Sequence, residues 1–224
     1  MKKIVCCTLV ALMAMPAVGA DKKKIEKPAE SPGWLIIDED FWIPLRFEPL
    51  SSLNAIQYHY RRDEEKSAAI QIDKAVSWLN LAASHAMPIT KEKLTTAAKD
   101  LATVASQLRA GDTIAAGRMN AALVKAASAL GEWHFYKAKE SWGANEEADA
   151  GRDLAMAADY LKHAAASAHC QFGPDTEKTI TEYYDHGWWE GETTTYDHNT
   201  LGMHLDSVEK GLEDLSKAIS KAVK

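Results

Sequence analysis

The chain has 224 residues and a formal net charge of −6 at pH 7, with 46% hydrophobic and 26% charged residues. This length is enough to bury a core, as one large domain or two small ones. The acidic balance, without a long basic face, argues against nucleic acid or an anionic membrane as the binding partner.

The N-terminus has the three parts of a secretory signal peptide, predicted to span residues 1–20. Lys2 and Lys3 precede an apolar run over 4–15, and small residues follow up to Ala20. The apolar run is too short for a membrane-spanning helix, which needs roughly 20 residues. We therefore expect cleavage after Ala20 and a periplasmic or secreted product, and the style of the leader indicates a bacterial protein.

Two segments without a helical pattern follow the leader. Residues 21–33 contain Lys, Pro and Ser without periodicity, which is typical of a flexible linker. Residues 34–50 are apolar and aromatic, but Pro44 and Pro49 argue against a long helix there. We predict an extended aromatic arm over 34–50, packed either on its own chain or on another copy. The aromatic residues of this arm are Trp34, Phe41, Trp42 and Phe47.

Residues 51–224 are predicted to form an antiparallel helical bundle of six or seven helices, so the fold class is all-α. Apolar residues recur at intervals of three and four in this region, and no long stretch alternates with period two as a strand does. Proline, glycine and capping residues mark the expected boundaries. The predicted helices start at or near Ser51, Asp63, Thr90, Asp112, Asn145, Asp175 and Asn199.

A weak internal repeat indicates two duplicated three-helix units. Residues 75–83 align with 157–165, and each segment is followed by a proline break and a new helix start. The duplication would make Trp78 and Tyr160 equivalent, although Ala-rich helices also resemble one another by chance. The alanines on the buried faces allow close helix packing. Because such a face can also bind a second copy of the chain, a homo-oligomer is left open.

Cys170 is the one cysteine outside the predicted leader. An intrachain disulfide is therefore impossible after cleavage, and stability must come from packing. We predict a buried thiol near the C-terminal end of a helix, where the helix dipole raises a thiol pKa. Cys170 is consequently not expected to be a nucleophile.

Several histidines lie at helical spacing from acidic residues, which suggests a metal site. Asp159–His163 and Glu182–His186 are i,i+4 pairs that place both side chains on one side of a helix. The favoured alternative is surface histidines paired with acids, because Glu-x-x-His, His-Glu-x-x-His and Cys-x-x-Cys-His motifs are missing. No motif requires a cofactor, and a transition metal or non-covalent haem is left open. The candidate metal ligands are Asp159, His163, Glu182, His186, His198 and His204.

An aromatic segment over 183–196 (YYDHGWWEGETTTY) is the first choice for a ligand-binding site. Adjacent tryptophans in a glycine-containing loop can bind sugars, aromatic rings or cations. Large aromatic residues can equally seal one end of the bundle. The candidate ligand-binding residues are Tyr184, Asp185, His186, Trp188, Trp189, Glu190, Tyr196 and His198.

Catalytic motifs are missing: the sequence has no Gly-x-Ser-x-Gly, no Gly-rich phosphate loop and no credible Cys/His nucleophile pair. A non-enzyme is therefore favoured over an enzyme. The leading hypothesis is an exported, non-enzymatic helical-bundle protein that binds a partner protein or a small ligand. The first alternative is a periplasmic metal- or haem-binding protein that uses the late histidines. The second is a hydrolase or lyase with an acid–histidine site in the 183–204 region.

Overall fold

The computed structural model describes residues 39–185 and 196–222, with side chains over 48–184 and 196–220. These residues form seven α-helices and no strand, which confirms the all-α helical bundle. None of the described helices is long and apolar enough to cross a membrane. The helices are α1 (Glu39–Tyr60), α2 (Glu65–His85), α3 (Pro88–Ala110), α4 (Ala116–Gly143), α5 (Glu147–Ala168), α6 (Pro174–Asp185) and α7 (His198–Ala222).

The first helix, α1, begins inside the segment predicted to be an extended arm. It includes residues 39–50 and both prolines of that segment, and the extended arm over 34–50 stays a prediction. A proline inside a helix removes one i→i−4 hydrogen bond and bends the backbone, but here neither proline ends the helix. Residues 34–38 lie outside the described residues, as do the predicted signal peptide (1–20) and linker (21–33).

Proline and glycine bound α3, whereas two predicted capping residues do not cap. The helix begins at Pro88, so Thr90 lies inside it and is buried. Proline suits the first helical position because the N–H that it lacks has no partner there. Gly111 ends α3 in the left-handed region at φ 82°, as a glycine after a helix commonly does. Asp112 does not cap α4, which begins only at Ala116.

The central helix of the bundle is α4. It packs most extensively against α5 and also contacts α1, α2, α3 and α7. The α4 and α5 helices are antiparallel, since Gly131 faces Tyr160 while Lys137 faces Asp153. A Cβ added to Gly131 would lie 3.2 Å from Cβ of Tyr160, so glycine allows the two backbones to approach closely. The fully buried leucines include Leu79, Leu94, Leu101, Leu123, Leu154, Leu161 and Leu215.

Residues at equivalent positions of the predicted repeat are buried to the same extent in one case and to different extents in another. Leu79 and its counterpart Leu161 are both fully buried. Tyr160 is also buried, whereas its counterpart Trp78 is half-buried. The principal neighbour of α2 is α3, while that of α5 is α4. Equivalent helices of the two units therefore have different packing partners, and the duplication stays a prediction.

Candidate functional site

Most of the aromatic segment lies outside the described residues. This holds for residues 186–195, and the side chain of Asp185 at the end of α6 is also outside. Tyr184 is 46% exposed on α6, and the ammonium of Lys162 lies 3.2 Å from its ring centroid in a cation–π contact. Both interpretations of the segment, a ligand-binding loop and an aromatic seal at one end of the bundle, therefore stay predictions. The candidate residues that cannot be placed are His186, Trp188, Trp189 and Glu190.

Four residues meet where α6 packs against α7, and we call them the α6–α7 histidine cluster: Glu182 and Tyr183 on α6, Tyr196 just before α7, and His204 on α7. The hydroxyl of Tyr183 lies 3.0 Å from Nδ1 of His204, and Nε2 of the same ring lies 3.7 Å from Oε2 of Glu182. The Tyr196 ring packs edge-on against Tyr183 and His204, with centroids 5.5 Å and 4.9 Å away. The packing of α6 against α7 thus places Glu182 next to His204.

Burial sets the protonation states in this cluster. It lowers the pKa of His204, and the Glu182 carboxylate opposes that shift only in part. Burial raises the pKa of Tyr183 and of Tyr196, and the charge of Glu182 adds to both shifts. The cluster therefore holds a neutral imidazole and neutral phenols at pH 7.

His198 has different neighbours. Its ring stacks on Trp142 with centroids 4.6 Å apart, and its backbone carbonyl accepts a 2.8 Å hydrogen bond from Nε1 of Trp142. Nδ1 of His198 also lies 3.4 Å from Oε1 of Glu147. Gly202 leaves room for the indole, because a Cβ there would lie 3.3 Å from Trp142. These contacts tie the start of α7 to the turn between α4 and α5.

The predicted metal ligands are only partly brought together. Burial lowers the pKa of His163, and its Nε2 is buried without a hydrogen-bond partner among the described residues. Within those residues, no group of three or more His, Cys, Asp or Glu side chains could hold one metal ion. Glu182 and His204 are the predicted ligands that face each other across two helices. His186 lies outside the described residues.

A buried cluster that the sequence pattern did not reveal lies between α4 and α5 and consists of His134, Lys137 and Asp153. Their exposed fractions are 7%, 6% and 3%. Nδ1 of His134 lies 2.7 Å from Oδ1 of Asp153, and Nζ of Lys137 donates to the same oxygen at 3.1 Å. The Tyr160 ring stacks on His134, and Lys137 lies over the Trp133 ring. We call these three residues the α4–α5 charge cluster.

The charges in this cluster compensate one another. Burial raises the pKa of the Asp153 carboxyl, but the charge of Lys137 and the hydrogen bond with His134 outweigh burial, so that pKa lies below its ordinary value. The available signal was the apolar surroundings of His134 and Lys137 in α4. Because its three side chains are buried, the cluster forms part of the packing interface between α4 and α5.

Cys170 is half-buried, not fully buried as expected. It lines a cleft of about 430 Å³ between α5 and α6, together with Lys162 and Glu177. Burial and the charge of Asp214 raise the pKa of its thiol. The raised pKa agrees with the expectation that this thiol is a poor nucleophile.

An open groove of about 850 Å³ lies between α3, α4 and α7. Both α3 and α7 pack against α4 but have no extensive contact with each other, which leaves the groove between them. Its apolar lining includes Ala97, Ala129, Phe135, Tyr136, Leu212 and Ile219. Its charged lining comprises Glu92, Lys93, Lys125, Glu132, Glu209, Glu213 and Lys217.

No protein-family model, no curated protein and no solved structure matches this chain.

Proposed function

We propose that this chain is an exported, non-enzymatic helical-bundle protein that binds an amphipathic helix of a partner protein in the α3–α4–α7 groove. The observation that carries the proposal is the groove itself: α3 and α7 both pack against α4 without extensive contact with each other, and an open space of about 850 Å³ lies between the three helices. A helix from another chain would complete the bundle at this position. The missing catalytic motifs support binding over catalysis, and the predicted signal peptide supports export.

The lining of the groove suits a helix with one apolar face. Apolar side chains from α4 and α7 form its floor, so anchors spaced at i, i+3/i+4 and i+7 would bury their surface there. Some of the charged side chains already have partners within the bundle. Lys93 lies 2.7 Å from Glu132, and Lys139 lies 3.5 Å from Glu209. Affinity would therefore come mainly from the apolar floor, with charges of both signs at the rim to orient the partner.

A small ligand is the rival occupant, since pockets for such ligands span roughly 300–1,000 Å³. Small-molecule sites enclose most of the ligand surface and carry few charged groups. This groove is instead open along one side and lined by seven charged residues. A polypeptide helix can cover such a surface and leave the charged groups at its rim in water, which favours the partner protein.

Adjacent threonines in α3 allow a matched test. Thr96 and Thr95 are both exposed, but only Thr96 lines the groove. A photo-crosslinking amino acid at position 96 of the full chain should capture a partner in the producing cells, and one at position 95 should not. Mass spectrometry would identify the crosslinked peptide. The synthetic peptide should then become helical on binding, and Thr96→Trp should weaken binding by about tenfold or more, with Thr95→Trp as the unaffected control.

Equal crosslinking at both positions would contradict the proposal, as would a synthetic peptide that fails to bind. Recovery of a small organic molecule with the folded chain, displaced by Thr96→Trp but not by Thr95→Trp, would assign the groove to a small ligand instead.

A further inference from the structure

In the α6–α7 histidine cluster, the side chains of His204 and Glu182 are of types that bind metals, and the distance between them is too long for a hydrogen bond. Nε2 of His204 and Oε2 of Glu182 are 3.7 Å apart. A nitrogen–oxygen hydrogen bond spans about 2.7–3.2 Å, so this pair is too far apart for one. In tetrahedral zinc sites, bonds of about 2.0–2.2 Å place two ligand atoms about 3.4 Å apart. The observed separation is close to that value, and a small rotation of the glutamate side chain would close the difference.

The imidazole of His204 is held in place from its other nitrogen. Nδ1 lies 3.0 Å from the hydroxyl of Tyr183, whose exposed fraction is 1%. Metal-binding histidines commonly use their second nitrogen in this way, because that hydrogen bond fixes the tautomer and the ring orientation. The tyrosine hydroxyl oxygen can accept a hydrogen bond from Nδ1–H, and in that tautomer the Nε2 lone pair is available to a metal. Among the described residues, Nε2 has no hydrogen-bond partner.

Glu182 provides access and negative charge. Its side chain is 28% exposed, so an ion can reach the carboxylate from solvent, while the His204 side chain is 9% exposed. One imidazole and one carboxylate favour zinc, cobalt, nickel or copper over the harder calcium and magnesium ions, which prefer all-oxygen sites.

We propose that Glu182 and His204 bind one divalent transition-metal ion, with water completing its coordination and Tyr183 positioning the imidazole. The site goes beyond the proposed function, since it uses the N-terminal half of α7 and the helix groove uses residues 209–220. The other histidine–carboxylate pair of similar spacing, Glu147 with His198, differs in one respect. The ring of His198 has no hydrogen bond among the described residues that would fix its orientation.

The two glutamates give a matched test on the full chain, purified without a His-tag and stripped with a chelator. Zn²⁺ should bind at one ion per chain by calorimetry, and Co²⁺ should give visible absorption bands that Zn²⁺ removes. Glu182→Gln should weaken Zn²⁺ binding by about tenfold or more, and Tyr183→Phe should weaken it by about 10–100-fold through the loss of ring orientation. Glu147→Gln should leave binding unchanged.

Three outcomes would overturn the proposal: no Zn²⁺ binding by the unmodified chain, unchanged affinity in Glu182→Gln, or a loss in Glu147→Gln alone. Because Glu182 is partly exposed and glutamine keeps its shape, circular dichroism should show an intact fold in Glu182→Gln. Thr96→Trp, which blocks the groove, should bind Zn²⁺ normally, so failure of the metal site and failure of the groove can be told apart.

Discussion

Replacement of Asp153 with asparagine should destabilise the bundle by about 3–5 kcal/mol, the usual cost of removing one partner of a buried ion pair. Asp153 is 3% exposed, and its Oδ1 contacts both His134 and Lys137. Asparagine would leave the Lys137 ammonium, 6% exposed, without its counter-charge. Native proteins have a free energy of unfolding of about 5–15 kcal/mol, so this loss would remove a large share of the stability of the bundle. At about 2–4 °C per kcal/mol, the melting temperature should fall by roughly 6–20 °C.

Guanidinium unfolding followed by circular dichroism would measure this loss as a lower midpoint with an unchanged slope. Asp100→Asn is the matched control, because Asp100 pairs with Lys125 at 2.8 Å on the surface, where a pair contributes about 0–1 kcal/mol. Joint replacement of the three cluster residues by leucine, methionine and leucine should restore most of the stability, since apolar groups leave no buried charge. An Asp153→Asn cost no greater than that of Asp100→Asn would refute the reasoning.

Three further predictions concern other parts of the bundle. Burial lowers the pKa of His163 and of His204 below 6.5, so the unfolded chain binds protons more readily than the folded chain does. The stability that these histidines contribute should therefore be present above about pH 6.5 and be lost as the pH falls below it. Unfolding at pH 7.5 and 5.5 would measure the loss, which should be smaller in His163→Gln. Gly211→Ala would place a Cβ 2.8 Å from Cγ2 of the buried Thr176, and the overpacking should cost about 1–3 kcal/mol by the same unfolding assay. The raised thiol pKa of Cys170 should make its alkylation by iodoacetamide at pH 7.5 slower than that of a free cysteine peptide, and equal rates would contradict it.

The sequence predicted the bundle better than it predicted the contacts within a candidate site. It identified Glu182 and His204 as candidate ligands, together with His186 one helical turn after Glu182. The structure places Glu182 opposite His204 on α7, and His186 lies outside the described residues. Helical spacing shows which side chains share a face of one helix, whereas the angle and register between two helices depend on how their side chains pack.

The helices themselves could be read from the chain, because apolar residues at intervals of three and four require a helix to face a core, and Pro88 and Gly111 bound one for stereochemical reasons. Other features depended on tertiary structure. A charge at Asp153 looks the same in sequence whether it meets water or Lys137, and only packing against α4 decides which. The groove exists because α3 and α7 lie apart on α4, a consequence of packing among several helices that no local pattern encodes.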